Sequence, residues 1–125
     1  MIRSEWRWMV RQCRALAKLS TNWDGEGSPA PDTALVERLL DLLRGLWTSQ
    51  RRELPMPFGY PLHGGGIQIE FRCRKQELEL SIMADTPEML DWFYTGVADI
   101  MEEGTVPVVE AAEDVARLVK RLIHM

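Results

Sequence analysis

The side chains best equipped for chemistry gather in two short stretches. Between Ser20 and Pro31, the residues Asn22, Asp24 and Glu26 offer oxygen donors at every second position. That spacing resembles the opening of a calcium loop, but the bidentate glutamate that closes such a loop does not follow at its offset. The same residues suit an ordered turn. Asn22 can end a helix in left-handed backbone, Asp24 can accept backbone N–H groups, and Gly25 and Gly27 supply positive φ. Trp23, a large aromatic among glycines and prolines, is expected to cap the core between two helices. The second stretch is His63 followed by Gly64, Gly65 and Gly66. Phosphate cradles normally open a helix, whereas these glycines precede a strand pattern and no Lys-Ser/Thr follows, so a loop-to-strand hinge is expected. His63 has the chemistry of a general base, yet no motif sets a Ser or Cys nucleophile beside it. Ser20, Ser28 and Cys13 sit in contexts of capping, turns and packing. No cofactor or metal is expected.

A third group is basic. Arg7, Arg11, Arg14 and Lys18 recur on one side of the first helical pattern, with Arg3 before them and Trp6 and Trp8 interleaved. Such a stripe could meet a phosphate backbone, with Trp8 at its edge available for stacking. A solvated helix face explains it equally well. The whole chain argues for the latter, since nineteen acidic against fifteen basic residues give a net charge of −4. No helix-turn-helix, zinc or RNA-binding signature accompanies the stripe.

The elements that must position these residues follow from periodicity. Trp6, Met9, Val10, Cys13, Leu16 and Ala17 predict a helix over 4–19, with Ser4 and Glu5 at its start. Leu35, Val36, Leu39, Leu40, Leu43, Leu46 and Trp47 predict a second, from Pro31 or Asp32 to Trp47. From Gln50 to Gly66, Pro55, Pro57 and Pro61 predict a loop. Ile67, Ile69, Phe71 and Cys73 then alternate with polar residues, as do Leu78, Leu80 and Ile82. A hairpin centred on Lys75-Gln76 pairs Cys73 with Leu78, Phe71 with Leu80 and Ile69 with Ile82. It also sets Arg72 opposite Glu79 and Arg74 opposite Glu77. Thr86–Val106 carries both helical spacing and strand formers, and strands near 89–95 and 98–106 are favoured. A last helix, 108–123, carries Val109, Ala112, Val115, Ala116, Val119, Leu122 and Ile123 on its apolar side. Its acidic residues come early and its basic residues late, as the helix dipole prefers.

The expected fold is therefore one α+β domain over residues 1–125. It has two N-terminal helices, an antiparallel sheet of three to four strands, and a C-terminal helix packed on the sheet. With 125 residues there is no room for a second core. No apolar run approaches the ~20 residues that span a bilayer, and the N-terminus lacks the apolar stretch of a signal peptide. Cys13 and Cys73 both fall on core-facing positions and are expected as free buried thiols of a cytoplasmic protein.

The run Asn22-Trp23-Asp24-Gly25-Glu26-Gly27-Ser28-Pro29-Ala30-Pro31 resembles a group of small bacterial proteins with an Asn-Trp-Asp-Gly-x-Gly-Ala signature. In that group the signature is followed by a helix, a proline-rich segment and a Gly-Gly-Ile strand. Pro55-Met56-Pro57 and Gly64-Gly65-Gly66-Ile67-Gln68-Ile69-Glu70-Phe71 stand in those places here. Ser28 replaces the alanine, and the likeness extends over about residues 15–82. The resemblance carries no established activity, so it assigns no catalytic residue.

Five tryptophans and seven methionines point instead to recognition, since both residue types are favoured at interfaces. Trp8, Met83 and Trp92 lie partly outside the simple core pattern and are the expected protein-contact residues. The expected role is a non-enzymatic, protein-binding accessory subunit, antitoxin-like or immunity-like, of a bacterial defence or mobile-element system. Nucleic-acid binding through Arg7, Arg11, Arg14 and Lys18 is the alternative, and a small enzyme using the Asp24 and His63 loops is a third. Self-association is compatible with each; a membrane partner is not expected.

Overall fold

A computed structural model describes residues 1–50 and 53–124. Arg51 and Arg52, within the expected Gln50–Gly66 loop, lie outside the described residues. Helix α1 spans Arg3–Leu16 and α2 spans Thr33–Gln50. Strands follow at Phe58–Pro61 (β1), Ile67–Cys73 (β2), Gln76–Ile82 (β3), Met89–Thr95 (β4) and Met101–Pro107 (β5). A 3-10 turn at Val108–Glu110 leads into α3, Ala111–His124. The fold is α+β, with one strand more than the periodicity predicts.

The five strands form an antiparallel meander in the order β1-β2-β3-β4-β5. The added strand is β1, which pairs Phe58 with Glu70 and Tyr60 with Gln68. The prolines do not prevent it, because β1 is a four-residue edge strand that ends at Pro61. The three glycines thereby belong to a hairpin loop. Leu62 N donates to the Gly66 carbonyl at 2.9 Å, and Gly64 and Gly65 take φ of 83° and 94°.

Registers place the apolar residues of β2 and β3 on one face. Ile69, Leu80 and Trp92 are direct neighbours across β2, β3 and β4, as are Phe71, Leu78 and Tyr94. All but Trp92 of these six are fully buried. The hairpin differs from the expected register by two residues, pairing Cys73 with Gln76, Phe71 with Leu78 and Ile69 with Leu80. Left-handed backbone at Arg74 (φ 58°) places the two-residue turn at Arg74-Lys75, one residue earlier than expected. A shift of two keeps every side chain on its face, so the core is unchanged. The charged pairs do change: Arg72 stands opposite Glu77, and Glu70 faces Glu79.

The helices cover the apolar face. Helix α1 approaches β1, α3 approaches β3 and β2, and α2 packs against both other helices. A Cβ at Gly59 would meet Cys13 Sγ at 3.0 Å, so the glycine lets α1 lie close to the edge strand. Trp6 stacks on Trp47 with ring centroids 5.1 Å apart, joining α1 to α2. Arg121 of α3 lies 4.4 Å over the Tyr94 ring and pairs with Glu102.

Four expectations about packing are corrected. Trp23 is half-buried and outside the core; its indole N–H donates to the Pro29 carbonyl at 2.8 Å, so it pins the loop to itself. Cys73 is only half-buried while Cys13 is buried, and both are free thiols. Val109 is exposed because it sits in the 3-10 turn before α3, and Ala112 is exposed on the first turn of that helix. Lys18 lies beyond the end of α1, which stops at Leu16.

Candidate functional site

Two surfaces gather chemistry-bearing side chains. The larger is the sheet face away from the helices. Its registers build a row across all five strands: Phe58, Glu70, Glu79, Phe93 and Glu103. The next row is Tyr60, Gln68, Ser81, Asp91 and Thr105. Side-chain hydrogen bonds brace that second row, Ser81 Oγ to Gln68 Oε1 at 3.2 Å and Thr105 Oγ1 to Asp91 Oδ1 at 2.7 Å. Phe58 and Tyr60 are 48% and 40% exposed, and Phe93 is half-buried. A groove of about 570 Å³ runs over β3, β4 and β5, lined by Ser81, Asp91, Phe93, Glu103 and Thr105 together with the expected contact residue Trp92 and its neighbour Gly104.

Charge on this face is one-sided. Glu70, Glu77, Glu79, Asp91 and Glu103 are met there by Arg72 alone among the described residues. The Glu70 side chain is 8% exposed and its Oε1 lies 2.5 Å from Arg72 Nε. Burial raises its pKa, but hydrogen bonds with Glu77 and Arg72 and the Arg72 charge outweigh that and hold it below the ordinary value. Glu77 is raised, first by its hydrogen bond with Glu70 and then by burial. Glu79 is raised by burial and by the Glu70 charge opposite it.

The second surface joins the two loops. Asn22 (φ 69°), Gly25 (φ 75°) and Gly27 (φ 84°) take the expected left-handed backbone. Asn22 lies six residues past α1, so it shapes the loop and does not cap the helix. Asp24 Oδ1 accepts N–H groups of Glu26 and Ser28 at 2.9 and 3.2 Å. Its Oδ2 accepts the Ser28 hydroxyl at 2.5 Å and lies 3.0 Å from His63 Nδ1. Ser28 Oγ also accepts Gly64 N–H at 3.0 Å, tying the loops together across 36 residues. These bonds, the Ser28 hydroxyl foremost, hold the Asp24 carboxyl well below the ordinary carboxylate range.

Ser28, His63 and Asp24 do not form a hydrolase relay. There the acid and the nucleophile occupy opposite ring nitrogens, whereas both Asp24 Oδ2 and Ser28 Oγ approach Nδ1. Ser28 is also 2% exposed. Burial lifts the Cys13 thiol to about 11, which leaves it unreactive at neutral pH.

The expected contact residues are not brought together. Trp8 is 40% exposed on α1, and α1 lies against β1. Trp92 is three strands away on the helix-covered face, half-buried, its indole over Gly104 where an added Cβ would lie 2.6 Å from the ring. Met83 is half-buried just beyond β3. The basic stripe is also diminished, because Arg14 forms a two-pronged pair with Glu37 at 2.8 and 3.2 Å. Phe58 and Tyr60 were hidden by their neighbours, although aromatics at period two between prolines are an edge-strand signal. Nothing in sequence spacing marks Ser28 as the partner of His63.

No protein-family model matches the chain, no curated protein is significantly similar in sequence, and no solved structure matches its fold. No helix among the described residues is long and apolar enough to cross a membrane.

Proposed function

We propose that the chain is a non-enzymatic, cytoplasmic protein-binding subunit that occludes a basic surface on its partner. One observation carries this reading: the sheet face left open by the helices, with Phe58, Tyr60 and Phe93 set among five carboxylates. Aromatic side chains supply contact area at low entropic cost, and one-signed charge steers and selects a complementary partner. Antitoxin-like or immunity-like action fits this chemistry, because an acidic face can cover a basic active surface without any reaction. The bacterial defence or mobile-element setting rests on the resemblance at Asn22–Pro31.

The nucleic-acid reading is weaker. The stripe keeps Arg7 and Arg11 exposed, but Arg14 is paired and Lys18 is off the helix. Affinity capture from nuclease-treated native lysate separates the readings, using wild type, Phe58→Ser with Tyr60→Ser, and Arg7→Glu with Arg11→Glu. The expected result is one stoichiometric protein that the first double variant loses and the second retains. Recovery that vanishes with nuclease or with the arginine variant overturns the proposal.

A further inference from the structure

His63 Nδ1 is surrounded by more acceptors than it can serve. Asp24 Oδ2 and Ser28 Oγ stand at 3.0 Å and Glu26 Oε2 at 3.3 Å. A ring nitrogen carries at most one proton. The Ser28 hydroxyl spends its own proton on Asp24 and its oxygen already accepts Gly64 N–H. Two carboxylates and a ring nitrogen therefore converge on a point that a single proton fills poorly.

The spacing suits a larger charge. Bonds of about 2.0–2.1 Å from nitrogen and oxygen to a divalent ion set neighbouring donors about 2.9 Å apart in an octahedral shell and about 3.3 Å apart in a tetrahedral one. The distances from Nδ1 to the two carboxylate oxygens are 3.0 and 3.3 Å, and the three donor atoms all lie within 4.8 Å of one another. We propose that Asp24, Glu26 and His63 form a binding site for a divalent transition-metal ion. An imidazole with two carboxylates favours zinc, manganese or nickel over calcium.

This is not the every-second-residue calcium pattern of the sequence. Asn22 is no ligand, because its Oδ1 accepts Gly27 N–H at 2.6 Å. It shapes the turn that brings Asp24 and Glu26 to one side, and the third donor comes from the β1–β2 loop. Backbone N–H groups of Glu26 and Ser28 hold Asp24 Oδ1, the oxygen turned away from His63 Nδ1, and the Ser28 hydroxyl donates to Oδ2 itself, so both oxygens have the outer support that metal-ligating carboxylates take. His63 and Glu26 are solvent-exposed, so the remaining coordination positions face water or a partner's side chain.

The test is isothermal titration of zinc chloride into chelator-stripped protein. The expected result is one ion per chain, with Glu26→Gln and His63→Gln each weakening binding at least about tenfold. His124→Gln removes the other histidine, which pairs with Glu53, and is expected to bind as wild type does. Thermal melts without metal show whether each variant is folded. In ¹⁵N spectra of the imidazole, zinc is expected to shift Nδ1 of His63 and leave Nε2 protonated. Wild-type affinity in either the Glu26 or the His63 variant overturns the site, as does failure to saturate at one ion per chain below about 1 mM zinc.

Discussion

Ser28 shows how much a single hydroxyl can organise. It is buried, donates to Asp24, accepts from Gly64 N–H and touches His63 Nδ1. Ser28→Ala is expected to lower stability by about 1–2 kcal/mol, because Gly64 N–H loses its acceptor and Asp24 a donor; a urea unfolding series measures it. If stability is unchanged, the two loops are held by something other than this hydroxyl. Glu79 gives the opposite case, a side chain whose charge the fold disfavours. Its folded pKa is raised by burial and Glu70, so the folded state binds the proton more tightly than the unfolded chain does. Stability then falls as pH rises from the ordinary carboxylate value through the folded one. Glu79→Gln is expected to raise the melting temperature by a few degrees at pH 7, with the gain shrinking towards pH 4. A gain that grows on acidification sinks the account. Neither residue's role was legible in the sequence. Ser28 acts on a loop 36 residues away, and the expected register set Glu79 against Arg72 where the folded hairpin sets it against Glu70.

At the scale of elements, what could be read was whatever repeats. Leu35 to Leu46 repeat at helical spacing, and the apolar residues of β2 and β3 repeat at two, so α2 and the hairpin core stood out. A turn, by contrast, depends on one or two backbone angles. Left-handed Arg74 carries no sequence signal comparable to Asn-Gly, and the hairpin centre was displaced accordingly. Strand β1 escaped because the side that faces the core carries Gly59 and Pro61 where a strand normally shows apolar side chains. Two glycines test the packing of these elements. A Cβ at Gly66 would meet the Ile82 carbonyl oxygen at 2.8 Å and Met83 Cα at 3.2 Å. Both are backbone atoms, so Gly66→Ala must part β2 from the end of β3 and is expected to cost more than about 2 kcal/mol. Gly45, within α2, has no atom within 4 Å of an added Cβ. Gly45→Ala is expected to stabilise by about 0.5–1 kcal/mol through helix propensity alone. Chemical denaturation of both variants checks the pair, and equal effects would show that the β2–β3 contact is not tight.

For the whole molecule, the question is which of its open surfaces another chain can use. The meander leaves two edges, β1 and β5. Four residues ending in proline blunt the first. The second carries Glu103 on the open face, and antiparallel pairing of two copies about that residue would set two like charges side by side. We therefore expect no self-association through the sheet edges, and the broad face remains the proposed recognition surface. Its excess of carboxylates makes two quantities measurable. The isolated chain is expected to sediment as a 14.4 kDa monomer at neutral pH and micromolar concentration. Its association rate with the captured partner should fall steeply with ionic strength, because steering by exposed charge is screened beyond a Debye length of about 8 Å at physiological salt. Substituting Asp91 and Glu103 by Asn and Gln should flatten that salt dependence, while Phe58→Ser should act mainly on the dissociation rate. An association rate indifferent to salt would mean that the partner is not basic. Dimerisation at micromolar concentration would mean that the acidic edge does not protect the sheet, and a second copy of the chain would become the first occupant to place on this face.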